Sequence, residues 1–497
     1  MILSLVVLVT SFGLALWAYY RKKHSYWKQK GVPHETPKPI VGNIGGALTF
    51  KESIGQFLYR VYKGSNGPYH GFYVMGEPSI LINDPDIIKH ILIKDFNFFM
   101  NRTIVSDPKG DPISAHILFN SKTPLWNNLR RKVSPIFSSG KLKRMYSFLY
   151  ESSSDLVNYL EKTDKMIESR EVCSLYTTDI ISSTCFGINA KCFENPNAEF
   201  RKISRKLFEW NSPRVSVPML FYFLTPTIVK LFKIGLFRTE CVRFFKRVFF
   251  RAIVEREQSK GFRNDFLDLL IQIKNQDAES NKNVKNEGDV ILAQAIQFFA
   301  AGFETTSGLM VFFLYELAKN PDVQEKLRQE VLEVLEKKGE IMYDSFKDMK
   351  YLDMCTSEAL RKYPILPFLD RRCSENYKLP GSELVLEKNT PVYISILGLQ
   401  YDETYYPEPD KFIPERWMDS QINKFSFLAF GEGPRNCIGA RFGVLAVKIG
   451  ISRILSSLKV ELCEKSPKNI GIQDFDSRAL LLAPIDGIYL KYSKINK

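Results

Sequence analysis

The chain has 497 residues, a formal net charge of +14, 45% hydrophobic and 13% aromatic residues. That length admits two or three domains. No Gly/Pro/Ser linker or low-complexity tract divides it beyond the first few dozen residues, so one large domain is expected behind an N-terminal appendage. Eight cysteines lie singly along the chain with no Cys-x-x-Cys pair, which argues against a disulfide framework and a structural zinc site. The five histidines all precede residue 117, and neither a hydrolase triad motif nor His-Glu-x-x-His is present. Walker and Gly-x-Gly-x-x-Gly loops are also missing, so electrons for any redox chemistry must come from another protein. The positive charge points to acidic partners or an anionic membrane surface. Nucleic acid is disfavoured, because the basic residues are scattered and carry no binding signature.

Residues 1–20 are apolar and uncharged, and Arg21, Lys22, Lys23, Lys28 and Lys30 follow. About 20 helical residues span a hydrocarbon core of ~30 Å. The basic flank assigns the following chain to the cytosolic side, and the lack of a basic leader favours an uncleaved anchor over a signal peptide. Residues 21–46 read as a basic, Pro- and Gly-rich hinge through Pro33, Pro37, Pro39, Gly42, Gly45 and Gly46. Residues 47–497 form the expected catalytic domain. The sequon Asn101-Arg102-Thr103 should go unused on a cytosolic body.

A short hairpin is predicted over 72–82, turning at Gly76-Glu77-Pro78. Asp84-Pro85 then caps a helix running to about Lys94. Trp126 and Arg130 share a helix, and Arg131, Lys132, Lys141, Lys143 and Arg144 add a basic face. Amphipathic helices are predicted over 145–163, 171–187, 239–260 and 264–274. The stretch 218–237 is apolar, aromatic and broken by proline. It reads as a membrane-touching lid or as a buried loop. Helix dominates, and strand signals return only near 376–395 and 478–491. The fold class is therefore mainly α with a small β part.

The segment 290–320 is apolar on nearly every face, as befits a helix buried through the middle of a domain. Inside it lies Ala301-Gly302-Phe303-Glu304-Thr305-Thr306-Ser307. Glycine disfavours a mid-helix position, and a buried glutamate needs a partner. Local violations of this kind mark functional sites. Glu358-Ala359-Leu360-Arg361 places two charges at i, i+3, and Pro414-Glu415-Arg416-Trp417 follows some 50 residues on. Finally, Phe430-Gly431-Glu432-Gly433-Pro434-Arg435-Asn436-Cys437-Ile438-Gly439 precedes an apolar helical run to about Leu458. A lone cysteine is ordinarily a small core residue. At a helix N-terminus, its thiolate is stabilised by unpaired N–H groups and can serve as a haem axial ligand.

Taken in order, these motifs resemble those of the cytochrome P-450 monooxygenases across nearly the whole chain. The stretches Leu366-Pro367-Phe368-Leu369-Asp370-Arg371 and Cys437-Ile438-Gly439-Ala440-Arg441-Phe442-Gly443 are similar to the insect microsomal, xenobiotic-metabolising branch. The resemblance implies a haem b (iron protoporphyrin IX) between a long central helix and the loop whose Cys437 ligates iron. It places Trp126, Arg130, Arg435, Phe430, Gly433, Gly439 and Ala301 against that cofactor. Thr305 and Glu304 would be the catalytic hydroxyl and acid over its distal face. Ile113, Phe119, Phe298, Ala301, Ile365, Leu366, Phe368, Leu369, Leu481 and Leu482 would surround a lipophilic substrate. Glu358, Arg361 and Arg416 would be a structural triad. The implied partners are NADPH-cytochrome P-450 reductase, which relays electrons from NADPH, with cytochrome b5 as a second donor the family admits. The implied location is the endoplasmic reticulum membrane. Two departures stand out: Gln400, where relatives often carry histidine, and Phe368, where many mammalian relatives carry a propionate-binding arginine. A haem-thiolate isomerase or dehydratase, and a haem-sequestering protein without turnover, are the alternative functions.

Overall fold

The structure is a computed structural model that describes residues 2–104, 107–163, 165–259, 261–279, 287–418 and 422–495. Its first element is the helix Ile2–His24. The large apolar side chains from Ile2 to Tyr19 face outward, and none of this helix is buried in the protein. It touches the body at its far end, where His24 Nε2 donates to the Met75 carbonyl (2.8 Å) and Tyr20 lies beside Gly76. The helix is long and apolar enough to cross a membrane. Deletion of residues 2–20 removes the outward-facing part and, of the contacts with the body, that of Tyr20 with Gly76, leaving the His24 bond in place. It is expected to leave haem content unchanged while lowering the membrane-bound fraction on sedimentation. A truncated chain that no longer holds haem would show that the helix belongs to the folded body.

The segment read as a hinge is packed onto that body. Trp27 is fully buried, its indole N–H donates to the Phe72 carbonyl (3.1 Å), and a Cβ at Gly71 would meet its ring at 2.7 Å. Asn43 exchanges bonds with the Tyr73 backbone in both directions, each 2.8 Å. Val32 and Ile44 are buried beside Trp27 in the same cluster.

The hairpin begins earlier than expected, at Tyr69–Val74, and returns through Glu77–Ile82. Pro391–Ser395 joins the second strand in parallel, and Phe368–Arg372 completes a four-stranded sheet. A three-stranded sheet pairs Ile167–Glu168, Tyr489–Lys494 and Leu458–Leu462. The single helix expected over 85–94 is instead Pro85–Lys89 followed by a π-turn, His90–Lys94. Asp84 caps it by accepting from the Asp86 and Ile87 N–H groups. The widened turn brings the Leu92 carbonyl against Gly433, where a Cβ would sit 1.9 Å from that oxygen.

Helices make up the rest. Ser139–Glu161, Ser169–Phe186, Thr239–Ser259 and Phe266–Glu279 match the predicted amphipathic runs within a few residues. The central helix Glu287–Lys319 has 33 residues and is about 50 Å long. Its apolar side chains pack on all sides. Phe299 and Phe303 stack with rings 6.2 Å apart, and Phe186, Phe200 and Phe245 close around Phe299. The stretch 218–237 divides into a buried part and an exposed part. It spans the end of Pro213–Leu224 and all of Pro226–Phe232. Tyr222, Phe223 and Leu224 are buried, whereas Leu231 and Phe232 are 73% and 68% exposed.

Behind the cavity described next, Glu358 and Arg361 are fully buried on the helix Lys350–Lys362. Glu358 accepts from Arg361 (2.9 and 3.0 Å), from Arg416 Nε (3.0 Å), from the Trp417 indole (3.0 Å) and from the Ile413 N–H (3.1 Å).

Candidate active site

The loop 430–439 is wound by its own backbone. The Cys437 N–H donates to the Phe430 carbonyl (2.8 Å), and the Asn436 N–H to that of Gly433 (3.0 Å). Gly431 and Gly433 have φ of +64° and +75°, a region that side chains disfavour. The helix Ala440–Leu455 starts directly after. Burial pushes the Cys437 thiol up. The Gly439 N–H, Arg130, Arg102 and the Ala440 N–H oppose that shift and favour a thiolate. The surface that Cys437 exposes faces a cavity.

That cavity measures about 1470 Å³ out to its solvent-open mouth. Among the expected residues, Trp126, Arg130, Phe430, Arg435, Cys437 and Gly439 line it on the loop side. Phe298, Ala301 and Thr305 line it from the central helix, with Phe119, Ile365, Leu366 and Leu369 beside them. Gly302 lines it too, and a Cβ there would strike Ile181 at 2.5 Å, so this glycine permits close packing of two helices.

Six of the expected residues lie off this lining. Glu304 does not line the cavity. It is buried on another face of the central helix, where its carboxylate pairs with Arg170. Burial raises its carboxyl, and the Arg170 cation opposes that rise. Gly433 meets the Leu92 carbonyl rather than the cavity. Ile113 is buried in the main core on the helix Pro112–His116. Phe368 stands edge-on to Phe223 (5.7 Å). Leu481 packs against the Trp210 cluster, and Leu482 supports Ile365 from behind through its N–H (2.8 Å).

Other lining residues carried no expectation, Arg102 and Gln297 foremost. Arg102 pairs with Asp370 (2.9 Å), and its guanidinium lies 4.1 Å over the Phe119 ring. Its partner is 268 residues away, and its sequence context reads as a sequon, so no local signal exposed it. The sequon itself is consumed by structure. The Asn101 amide oxygen accepts from the Thr123 N–H (3.0 Å), and the Thr103 hydroxyl donates to Asp370 (2.6 Å). Gln297 was findable, since it lies four and eight residues before Ala301 and Thr305 on one helix face.

The rim near Trp126 holds an excess of cations. Arg435 sits 4.3 Å over the Trp126 ring, donates to the Ser121 carbonyl (2.7 Å), and keeps a buried Nε without a partner. Burial, then Arg102 and Arg371, pull its guanidinium down to about 8; Arg371 falls to about 9 for similar reasons. Arginine stays protonated in proteins, so such shifts mark unneutralised charge. Asp370 is the carboxylate paired with this group. A flat cofactor carrying two carboxylates would supply the missing countercharge, and haem is such a cofactor. The residues present therefore fit haem: Arg102, Arg130 and Arg435 would hold its propionates, and Cys437 would be its sulfur ligand. Gln400, the first departure, turns away from that rim. Its amide donates to the Leu360 and Arg361 carbonyls (3.0 and 2.6 Å) and accepts from the Leu428 N–H (3.1 Å).

A Cytochrome P-450 family model matches residues 32–491. Cytochrome P-450 6k1 of Blattella germanica is 40% identical, covering 99% of this chain and 97% of that protein. Cytochrome P-450 6l1 of the same organism is 39% identical over 93% of this chain and 91% of its own length. Probable cytochrome P-450 6g2 of Drosophila melanogaster is 36% identical over 98% of both. Likeness of this extent, reaching every element that shapes the cavity, places the chain in the cytochrome P-450 family as a haem-thiolate monooxygenase.

Proposed function

We propose that this enzyme inserts one atom of O2 into lipophilic small molecules, using NADPH through a separate reductase, on the cytosolic face of the endoplasmic reticulum membrane. Xenobiotics, plant toxins, insecticides and endogenous lipids or hormones are the substrate classes this reading covers. The observation that carries it is a thiol-bearing loop facing a largely apolar cavity, with Thr305 on the wall the central helix provides. Haem, when bound, supplies the oxygen chemistry. The protein supplies the sulfur ligand, the cationic rim and the apolar walls that exclude water.

Thr305 puts a hydroxyl at the cavity surface, at present donating to the Ala301 carbonyl one turn back (2.6 Å). Rotation frees that O–H to hold or pass a proton at the cavity wall. Glu304 stands behind the wall, tied to Arg170, which is itself partly exposed. We assign it the supply side of the proton path, from the protein surface inward. The basic residues Arg131, Lys132, Lys141, Lys143 and Arg144 lie on and after the Trp126 helix. Lys143 pairs with Asp344, and Arg144 donates to Asn264 (2.7 Å). This face suits an acidic reductase, with cytochrome b5 as an alternative donor.

The test is NADPH-dependent product formation by the membrane-anchored chain with added reductase. Isomerase or dehydratase chemistry would proceed without the reductase, and a sequestering protein would form no product. The variant Thr305→Ala sharpens the test. It removes one hydrogen-bonding group and little volume, so stability should fall by about 1 kcal/mol. NADPH use should continue, hydrogen peroxide release should rise, and product per NADPH should fall several-fold. An unchanged product-to-NADPH ratio would reduce Thr305 to ordinary helix packing.

A further inference from the structure

One polar side chain on the central helix is not used by the scheme above. Gln297 lines the cavity two turns before Thr305, about 12 Å along the axis. Its Oε1 accepts the Phe119 backbone N–H at 2.9 Å. That bond fixes the amide plane and decides which atom remains free, because Oε1 must be the acceptor. Nε2 then has no acceptor among the described residues. The neighbouring lining residues Phe298, Phe119 and Ala301 are apolar. By contrast, Thr305 has already given its hydroxyl to Ala301, and Arg102 is paired with Asp370.

A donor held in an apolar wall discriminates in both directions. A ligand with a carbonyl or ether oxygen at that height gains a hydrogen bond. A ligand without one strips water from Nε2 and leaves it unpaired, which costs more than the bond gains.

We propose that Gln297 is a specificity-determining residue that selects elongated lipophilic substrates bearing a neutral acceptor oxygen, held at the end remote from Thr305. This deepens the monooxygenase reading and rests on it only for where the far end of the ligand lies. Phe119 is part of the device. Its ring sits beneath Arg102 and beside Phe223 (6.2 Å), so the backbone N–H that orients Gln297 is itself held from two sides.

The experiment uses a rigid matched pair, androstan-17-one and androstane, which differ by one carbonyl oxygen. Binding to the haem-loaded, full-length chain is measured by equilibrium dialysis, which requires neither turnover nor reductase. The wild type should bind the ketone roughly 3- to 10-fold more tightly, as one neutral hydrogen bond allows. Gln297→Leu should bring that ratio to about one, chiefly by strengthening binding of the hydrocarbon, which no longer leaves a donor unpaired. Because leucine also abandons the Phe119 N–H, Gln297→Glu at pH 8 is the second variant. It keeps the acceptor for Phe119 and removes the donor, so it too should lose the preference. A ketone preference that survives in both variants overturns the proposal. So does a wild type that binds the two steroids equally or binds neither. Failure to incorporate haem, or to form product with reductase, would count instead against the monooxygenase reading, and the dialysis result is independent of both.

Discussion

Cys437→Ser is expected to abolish the absorption of the reduced carbon-monoxide adduct that thiolate ligation produces, and to bring turnover to background. The substitution exchanges a soft, ionisable sulfur for a hydroxyl that stays protonated at the same position. The fold should survive it. The bonds that shape the loop, Cys437 N–H to Phe430 and Asn436 N–H to Gly433, are backbone bonds that serine keeps. What serine discards is the anion that the Gly439 and Ala440 N–H groups and Arg130 stabilise. Among the described residues, no other cysteine lines the cavity. Cys173, Cys185, Cys192, Cys241, Cys355 and Cys373 are buried, and burial pushes each of those thiols up, Cys241 and Cys373 to about 11. Cys355→Ala therefore serves as the control and should leave the spectrum unchanged. Survival of the spectrum in Cys437→Ser would overturn the assignment of the ligand.

Much of this site could be read in the sequence because its chemistry is local. The loop around Cys437 packs ligand, turn glycines and helix start into ten residues. The central helix announces itself by apolar length and by a glycine and a glutamate where neither belongs. The misreadings share the opposite property. Gly433 was expected to approach a flat ligand. Its contact is the Leu92 carbonyl, which a π-turn more than 300 residues earlier presents, and nothing in the spacing of 85–94 distinguishes a π-turn from continued helix. Glu304 and Thr305 are adjacent in sequence, so they stand about 100° apart around the helix. One can face the cavity while the other faces Arg170. Arg102 joins the site only through Asp370, a pairing across most of the chain. Gln297 was missed despite a local signal, since its i, i+4, i+8 relation to Ala301 and Thr305 is helical arithmetic. The segment read as a hinge carries a contact that composition does not show. Composition marks prolines and glycines as a break, but it does not weigh the single Trp27 that pins the segment down.

Glu358→Ala is expected to have the largest effect on stability, and to act on haem retention without touching the cavity. Glu358 is fully buried and gathers five donors: two from Arg361, and one each from Arg416, Trp417 and the Ile413 N–H. Removing it strands the buried Arg361 guanidinium and the largely buried Arg416. Breaking a buried ion pair from one side costs about 3–5 kcal/mol, a large part of the roughly 5–15 kcal/mol that folded proteins possess. The damage has a route to the site. Arg361 also donates to the Gln400 carbonyl (2.9 Å), and the Gln400 amide in turn accepts the Leu428 N–H. Leu428 leads into the loop 430–439, its carbonyl accepting from the Gly431 N–H at 2.8 Å. Loosening the carboxylate should therefore loosen the loop that positions Cys437. The expected result is a lower denaturant midpoint together with low haem content per chain. Glu358→Gln should fall between the variant and wild type, since its amide oxygen still accepts while its NH2 faces donors. Were Glu358→Ala to keep the wild-type midpoint, the five bonds would be geometry without consequence. Should the midpoint fall while haem content holds, the coupling through Gln400 and Leu428 would be absent, and the triad would stabilise only its own corner of the fold.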